Sequence, residues 1–121
     1  PQYGVTSFLP TVAPRAKGED IAFLSELSQL RSDGAQIAGF HLEGPFLKIA
    51  GALQADAIAP ADRSRVQAFI EAAGEHKVIF SISPDVEGIE RLIPLMVKEN
   101  TPVFITHTAA SVTQTQIASG A

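Results

Sequence analysis

Four short apolar runs alternate with longer stretches of mixed polarity along the chain. The runs occupy residues 5–9, 37–42, 77–82 and 102–106, and each is followed by Pro, Gly or a polar residue. Because they are too short for helices and end at turn residues, we predict that they are buried strands. The stretches after them carry apolar residues at spacings of three and four, which predicts a helix after each strand.

The predicted helices have start and stop signals. Asp20 precedes the first, which is expected to end near 32–34, where a Gly follows Ser and Asp. Asp62 opens the second, and Ser111 is placed to cap the last. Pro94 lies inside the third and predicts a kink or a late break there. The segment 47–60 has little periodicity, and a loop of that length in a compact domain is usually functional or mobile.

The order of elements is therefore β-α-β-α-β-α-β-α, with strands that look apolar on both faces. That pattern predicts an α/β fold with a parallel sheet covered by helices. A full (β/α)₈ barrel takes about 250 residues, so a chain of 121 residues supplies roughly half of one. We expect a single domain over residues 1–121 that forms about four β/α units of a TIM-type barrel. The alternative is a small flavodoxin-like sheet that is complete in itself.

Composition narrows the classes of function. Hydrophobic residues make up 45% and charged residues 18%, as in ordinary globular proteins. A net charge of −4 argues against binding of nucleic acid or of anionic membranes. There is no cysteine, which excludes disulfides and thiolate metal sites, and no run is long enough for a membrane span. We expect a cytoplasmic protein. The missing initiator Met and an end within a helix suggest a piece of a longer chain.

Polar side chains collect where three of the strands end. The carboxyl ends of parallel strands meet at one edge of a sheet, which is where α/β proteins carry their chemistry. Glu and His are ligands that hold zinc, iron or manganese, and such a metal activates water for attack on an amide or ester. A catalytic site would need at least one further ligand. The residues concerned are His41 and Glu43, Ser83 and Asp85, and Thr106 and His107.

Structural roles are the alternative for all of these residues. A His at a strand end is often bonded to the backbone, Glu43 could cap the following loop, and Asp85 could cap a helix. His76 is expected to be an exposed loop residue. Glu19 and Asp20 are expected to be charges at a helix start.

The string His-Leu-Glu-Gly-Pro-Phe at residues 41–46 resembles N-acetylglucosamine-6-phosphate deacetylases of the amidohydrolase superfamily. Similar stretches occur in that family, in the same order and at comparable spacing, for residues 4–11, 81–85 and 106–110. The resemblance thus covers nearly the whole chain. It implies a (β/α)₈ barrel that removes the acetyl group from N-acetylglucosamine 6-phosphate with the help of a divalent metal, either Zn, Fe or Mn.

Carried over by position, the resemblance makes Glu43 and His107 metal ligands, with Thr106 where the family has Gly. Ala52 and Leu53 fall at substrate-binding positions, but Leu53 replaces a His and cannot form a side-chain hydrogen bond. Asp85 stands where the family usually has Glu. No catalytic residue is assigned within the chain.

The family's remaining metal His and its catalytic Asp would follow beyond Ala121. We therefore expect a fragment that is inactive as given and that forms a homo-oligomer to cover its open sheet. Two alternatives stay open. One is a non-catalytic α/β module that binds a small anion or a protein, and the other is an amidohydrolase with a different substrate.

Overall fold

The computed structural model describes residues 3–31, 33–98 and 100–119, which form a mixed α/β unit. Its strands are β1 (Ser7–Phe8), β2 (Thr11–Val12), β3 (Gln36–Ile37), β4 (Phe40–Glu43), β5 (Val78–Ile82) and β6 (Val103–Ile105). Its helices are α1 (Glu19–Ser28), α2 (Arg63–Ala72), α3 (Ile93–Met96) and α4 (Val112–Ser119). Strands β2, β4, β5 and β6 form one parallel sheet in that order, and β1 pairs with β3 in a second.

The first two predicted strands are each split in two. The chain at 7–12 nevertheless runs alongside 36–43 without a gap, since the Ala38 N–H donates to the Phe8 carbonyl and the His41 N–H to the Pro10 carbonyl. The break in the second strand falls at Gly39. A Cβ there would lie 2.8 Å from the Lys77 carbonyl oxygen, so the two backbones can approach only because this residue is glycine.

The prediction that the first strand is buried is wrong. Val5, Phe8 and Leu9 are all about half exposed. Their segment lies at the outer side of the sheet, and no described strand pairs with β2 on its other side. The apolar run thus marks a strand, but burial also requires a neighbour.

In the described part of the chain, the helices pack against one face of the sheet. Phe40 and Leu42 point into the core, whereas His41 and Glu43, which alternate with them, are half-buried on the other face. The sequence predicted strands that are apolar on both faces, and for β4 this prediction is wrong. A flavodoxin-like sheet would need helices on both faces. The architecture is that of a partial β/α barrel, as predicted. The helix-side core is Val12, Leu24, Phe40, Leu42, Phe46, Val66, Phe69, Ala73, Val78, Phe80, Ile82, Ile89, Leu92 and Met96.

The starts of α2 and α4 agree with the sequence signals, whereas α1 begins at Glu19, so that Asp20 lies within it. Asp62 caps α2, because its Oδ1 accepts hydrogen bonds from the Ser64 hydroxyl at 2.7 Å and the Ser64 N–H at 2.8 Å. These bonds hold the pKa of Asp62 below its ordinary value. Before α4, the Gln114 N–H donates to Ser111 Oγ while the Ser111 N–H donates to Gln114 Oε1, which is a capping box.

The helix ends agree less well. The first helix stops at Ser28, earlier than the predicted end at 32–34, and Ser32 itself lies outside the described residues. The third predicted helix is divided into a 3₁₀ turn at Ile89–Arg91 and the single turn α3. This is the break that Pro94 predicted. Among the described residues no helix is long and apolar enough to cross a membrane.

Candidate metal-binding site

Glu43 and His107 meet at the carboxyl edge of the sheet. Glu43 is the last residue of β4, and His107 follows β6 by two residues. Strand β5 lies between these strands, and the two side chains reach across its end. His107 Nε2 lies 3.1 Å from Glu43 Oε1, with both side chains partly shielded from solvent. The structure thus joins two of the residues that the sequence singled out, 64 positions apart.

The other ring nitrogen of His107 fixes which atom faces the carboxylate. His107 Nδ1 lies 2.9 Å from the Ile49 carbonyl oxygen, which can only accept a hydrogen bond, so Nδ1 carries a proton. In the neutral ring, Nε2 then presents a lone pair to Glu43. Two acceptors facing each other at this distance require a proton or a metal cation between them or beside them.

This arrangement fits a divalent metal. A metal-bound His in proteins typically donates its second ring N–H to a backbone carbonyl or a carboxylate, as His107 does to Ile49. Two ligands at about 2.0–2.2 Å from one ion lie roughly 2.8–3.6 Å from each other for angles between about 90° and 110° at the metal. The 3.1 Å between Nε2 and Oε1 falls in that range. Glu43 and His107 can therefore serve one ion together.

The backbone of His107 adopts a left-handed conformation, with φ at +48°. Such a conformation costs a non-glycine residue about 1–3 kcal/mol and persists only where its surroundings hold it. Here the Ile49 N–H helps to hold it by donating to the His107 carbonyl at 3.0 Å. Ile49 thus binds both the ring and the main chain of His107. Thr106, at the position where the resemblance has Gly, is half-buried beside it.

Gly51 packs against the same ring. Its φ is +58°, and a Cβ built there would lie 3.2 Å from His107 Cε1 and 3.4 Å from Nδ1. The sequence reasoning missed both Ile49 and Gly51. Ile49 acts through its main chain, which leaves no signal in the side-chain pattern. A glycine within the segment 47–60 was visible, but nothing related it to the ring.

The residues after β5 belong to the same edge. Ser83 is fully buried and hydrogen-bonds the main chain of Thr106 and of His107. The Thr108 hydroxyl donates to Asp85 Oδ1 and accepts from the Ala110 N–H. Asp85 therefore holds the turn that leads into α4, and its described partner is a hydroxyl.

His41 lies apart from this edge. Its Nδ1 is 3.0 Å from Thr11 Oγ1 and its Nε2 is 2.7 Å from Ser81 Oγ, on the open face of the sheet. The ring also contacts the edge of Phe104. Thr11 pairs with His41 in the sheet and Ser81 pairs with Glu43, and the ring lies in a shallow cavity lined by Leu9, Thr11, His41, Ile79, Ser81 and Phe104. His41 precedes Glu43 by two residues on the same face of β4, so it lies one layer deeper than the Glu43–His107 pair.

Ala52 and Leu53, the substrate-binding positions of the resemblance, follow Gly51 directly. Ala52 is exposed and Leu53 is half-buried, and the Leu53 N–H donates to the Ala50 carbonyl in a tight turn. They therefore follow, in sequence, the residue that packs on the His107 ring.

Two structural roles expected from the sequence need correction. His76 is half-buried rather than exposed, because its ring packs edge-on against Phe40 at 5.2 Å between centroids. Asp20 lies in the first turn of α1, as expected, but it is fully buried and its Oδ2 is 2.8 Å from Arg65 Nη2 of α2. It is a buried ion-pair partner between helices as well as a helix-start charge.

No group of three or more His, Asp or Glu side chains is arranged to hold a metal within residues 3–31, 33–98 and 100–119. The described part of the chain offers the Glu43–His107 pair, and an ion bound there needs further ligands from another source.

Two solved structures are similar in fold to this chain. No protein-family model and no curated protein sequence matches the chain. Among solved structures, N-acetyl-D-glucosamine-6-phosphate deacetylase from Mycobacterium smegmatis is similar, with a TM-score of 0.82 and 25% identity. N-acetylglucosamine-6-phosphate deacetylase from Pasteurella multocida is similar with a TM-score of 0.73 and 23% identity. Each match covers 97% of this chain and 31% of the deacetylase.

The chain has the fold of a segment of these deacetylases. The likeness predicted from residues 41–46 is confirmed at the level of the fold. The chain spans about a third of the length of each deacetylase, as expected for a fragment.

Proposed function

We propose that this chain supplies part of a metal site in an N-acetylglucosamine-6-phosphate deacetylase-like barrel. Glu43 and His107 are the two ligands that it contributes. One observation carries the proposal: His107 Nδ1 is committed to the Ile49 carbonyl, so Nε2 faces Glu43 Oε1 at 3.1 Å. The likeness in fold to two solved deacetylases supports the same assignment.

A divalent metal at such a site supplies polarisation of the amide carbonyl and activation of water for hydrolysis of the N-acetyl group. The chain's own residues have simpler tasks. Glu43 and His107 hold the ion, and Ile49 fixes the ring that presents Nε2. Ala52 and Leu53 lie on the substrate side. Because Leu53 offers no side-chain hydrogen bond, it contacts the amino-sugar phosphate through apolar surface alone.

No general base is assigned among these 121 residues, and two ligands bind a metal weakly. We expect the 121-residue chain to bind zinc or cobalt but to release no acetate from N-acetylglucosamine 6-phosphate. Turnover at ordinary enzyme rates in a zinc-supplemented acetate assay would contradict the second expectation. Sequencing the DNA next to this coding region should reveal an in-frame His and Asp that complete the site.

Metal binding is the direct test. Cobalt is titrated into the metal-free chain, and its visible absorption is followed. Wild-type protein should show a saturable signal that disappears in Glu43→Ala and in His107→Ala. His76→Ala is the control, because it removes an imidazole that packs on Phe40 and contacts neither ligand. Equal binding by all four proteins, or none by the wild type, would refute the metal site.

A non-catalytic binding module is the second candidate. The absence of a three-ligand group among the described residues and the Leu at position 53 favour it. A different amidohydrolase, with a substrate suited to Leu53, is the third. The cobalt titration separates the module from the other two, because a module has no reason to bind metal at Glu43 and His107.

The proposal has consequences for partners and location. The substrate partner is an amino-sugar phosphate, a charged molecule that does not diffuse across membranes, which favours the cytoplasm. Self-association of the chain covers the apolar residues at the open side of the sheet, among them Leu9 and Phe104.

A further inference from the structure

The Ser83 hydroxyl is a buried junction of three main-chain contacts. It lies 2.9 Å from the carbonyl oxygens of both Thr106 and His107, which share its single proton. Its oxygen also accepts a hydrogen bond from the Lys48 N–H at 2.9 Å. The side chain is fully buried, so no water replaces these partners. The described hydrogen-bond partners of the hydroxyl thus all belong to two loops.

Those loops are the ones that form the candidate site. Lys48 belongs to the segment that leaves β4 after Glu43, and Thr106 and His107 follow β6. The Ser83 N–H adds a fourth main-chain contact, because it donates to the Phe46 carbonyl at 3.0 Å. Ser83 stands at the end of β5, between the two strands that carry the ligands. It therefore fixes the distance between the two loops.

Ile49, the residue after Lys48, orients the imidazole of His107. Ile49 accepts from His107 Nδ1 and donates its N–H to the His107 carbonyl. That carbonyl is also an acceptor of the Ser83 hydroxyl. His107 is thus held in its left-handed conformation by Ser83 on one side and by a segment that Ser83 anchors on the other.

We propose that Ser83 is a positioning residue for the metal site, which acts on His107 through its main chain and through the 46–49 segment. This inference rests on the proposed function, since it assigns Ser83 a part in metal binding. Without the hydroxyl, the Lys48 N–H and two carbonyls lose a partner, and the His107 backbone is free to relax. Loss of such a supporting contact typically lowers metal affinity about 10–100-fold.

A merely structural serine would have a different signature, and the chain offers a matched control. Ser81 lies two residues earlier, within β5, and is also buried, but its hydroxyl contacts the His41 ring and neither loop. Ser81→Ala and Ser83→Ala each remove one buried hydroxyl, the first from β5 and the second from the residue directly after it. A general loss of stability should therefore affect both variants, whereas an effect on His107 should follow Ser83 alone.

The experiment uses the full 121-residue chain with cobalt as the probe. Cobalt dissociation constants are measured for wild type, Ser81→Ala and Ser83→Ala, and amide hydrogen exchange is measured at Lys48 and Ile49 without metal. Ser83→Ala should weaken cobalt binding about tenfold or more and accelerate exchange at both amides, while Ser81→Ala should do neither. Unchanged cobalt affinity in Ser83→Ala, or equal losses in both variants, would overturn the inference.

The two proposals fail in distinguishable ways. If wild-type protein binds no cobalt, the metal site and the role of Ser83 in it are both wrong. If wild type binds cobalt but Ser83→Ala binds it equally well, only the role of Ser83 is wrong. Unaltered exchange at Lys48 in Ser83→Ala would also refute the anchoring that the role depends on.

Discussion

His107 Nε2 lies 3.1 Å from Glu43 Oε1 although its ring proton is already committed to the Ile49 carbonyl. Such a pair is stable with a metal cation or a proton between its members; with neither of them, lone pairs face each other and the contact is strained. Replacing the carboxylate by an amide removes the strain, since an amide N–H can donate to Nε2. This separates metal binding from stability in a way that an alanine variant cannot.

We therefore expect Glu43→Gln to fold as stably as the wild type, within about 1 kcal/mol, while cobalt binding is lost. Thermal unfolding and cobalt titration of the same preparation measure the two effects. Asp85→Asn is a suitable control, because that carboxylate contacts the Thr108 hydroxyl rather than His107. Retention of wild-type cobalt affinity by Glu43→Gln would show that Glu43 is not a ligand.

The glycine beside the ring gives a second prediction. Gly51→Ala adds a methyl group 3.2 Å from His107 Cε1, in a backbone conformation that non-glycine residues disfavour. Gly74 has a similar φ of +62° but no atom within 4 Å of an added Cβ. Both alanine variants should lose about 1 kcal/mol of folding free energy from backbone strain.

Only Gly51→Ala should, in addition, shift the His107 ring resonances in NMR spectra and weaken cobalt binding. The measurement is a pair of spectra and titrations for the two variants. If Gly74→Ala perturbs His107 as much as Gly51→Ala does, the effect comes from general loosening and the packing of Gly51 on the ring is not important.

The sequence predicted the strands that carry this site better than the loop contacts that hold it. The apolar runs placed β5 and β6 to within one residue at each end, and the run at 37–42 covers β3 and β4 as one strand. The parallel order then brought Glu43 and His107 to the same edge. It could not reveal Ile49, whose contacts are made by its main chain. It also could not separate His41 from Glu43, because both face the same side of β4 and only the structure shows that the His41 ring is bonded to Thr11 and Ser81.

Burial was harder to predict than strand position. The apolar run at 5–9 is a strand, but whether it is covered depends on a neighbour that local sequence does not encode. Asp20 shows the reverse case. A charge in the first turn of a helix is normally solvated, and its burial became visible only when α2 brought Arg65 within 2.8 Å.

That ion pair gives a third prediction. Asp20 is 1% exposed and Arg65 is 21% exposed, so the pair is largely shielded from water. Asp20→Ala leaves the Arg65 guanidinium without its carboxylate, and Arg65 Nε already has no hydrogen-bond partner. We expect a loss of about 2–3 kcal/mol in the free energy of unfolding, at the low end for buried pairs because Arg65 keeps some solvent.

Chemical denaturation measures this loss, and the exposed pair Glu90–Arg91 provides the comparison. Their 3.5 Å contact is open to water, so Glu90→Ala should change stability by less than about 0.5 kcal/mol. A loss below 1 kcal/mol in Asp20→Ala would mean that the helix α1–α2 contact depends on apolar packing alone.

Self-association is the last prediction. Strands β2 and β6 are the outer strands of the four-stranded sheet, and no described strand pairs with their free edges. A closed barrel of this type has eight strands, so two copies of a four-stranded half supply the required number. Phe104 of β6 is 52% exposed on the face that would turn inward, next to His41. We expect light scattering to give the mass of a dimer or larger oligomer at working concentration.

Phe104→Ser should shift the mass toward the monomer, whereas Leu30→Ser, which removes an exposed leucine just after α1, should not. A monomeric wild type, or equal effects of the two substitutions, would exclude pairing through the open face.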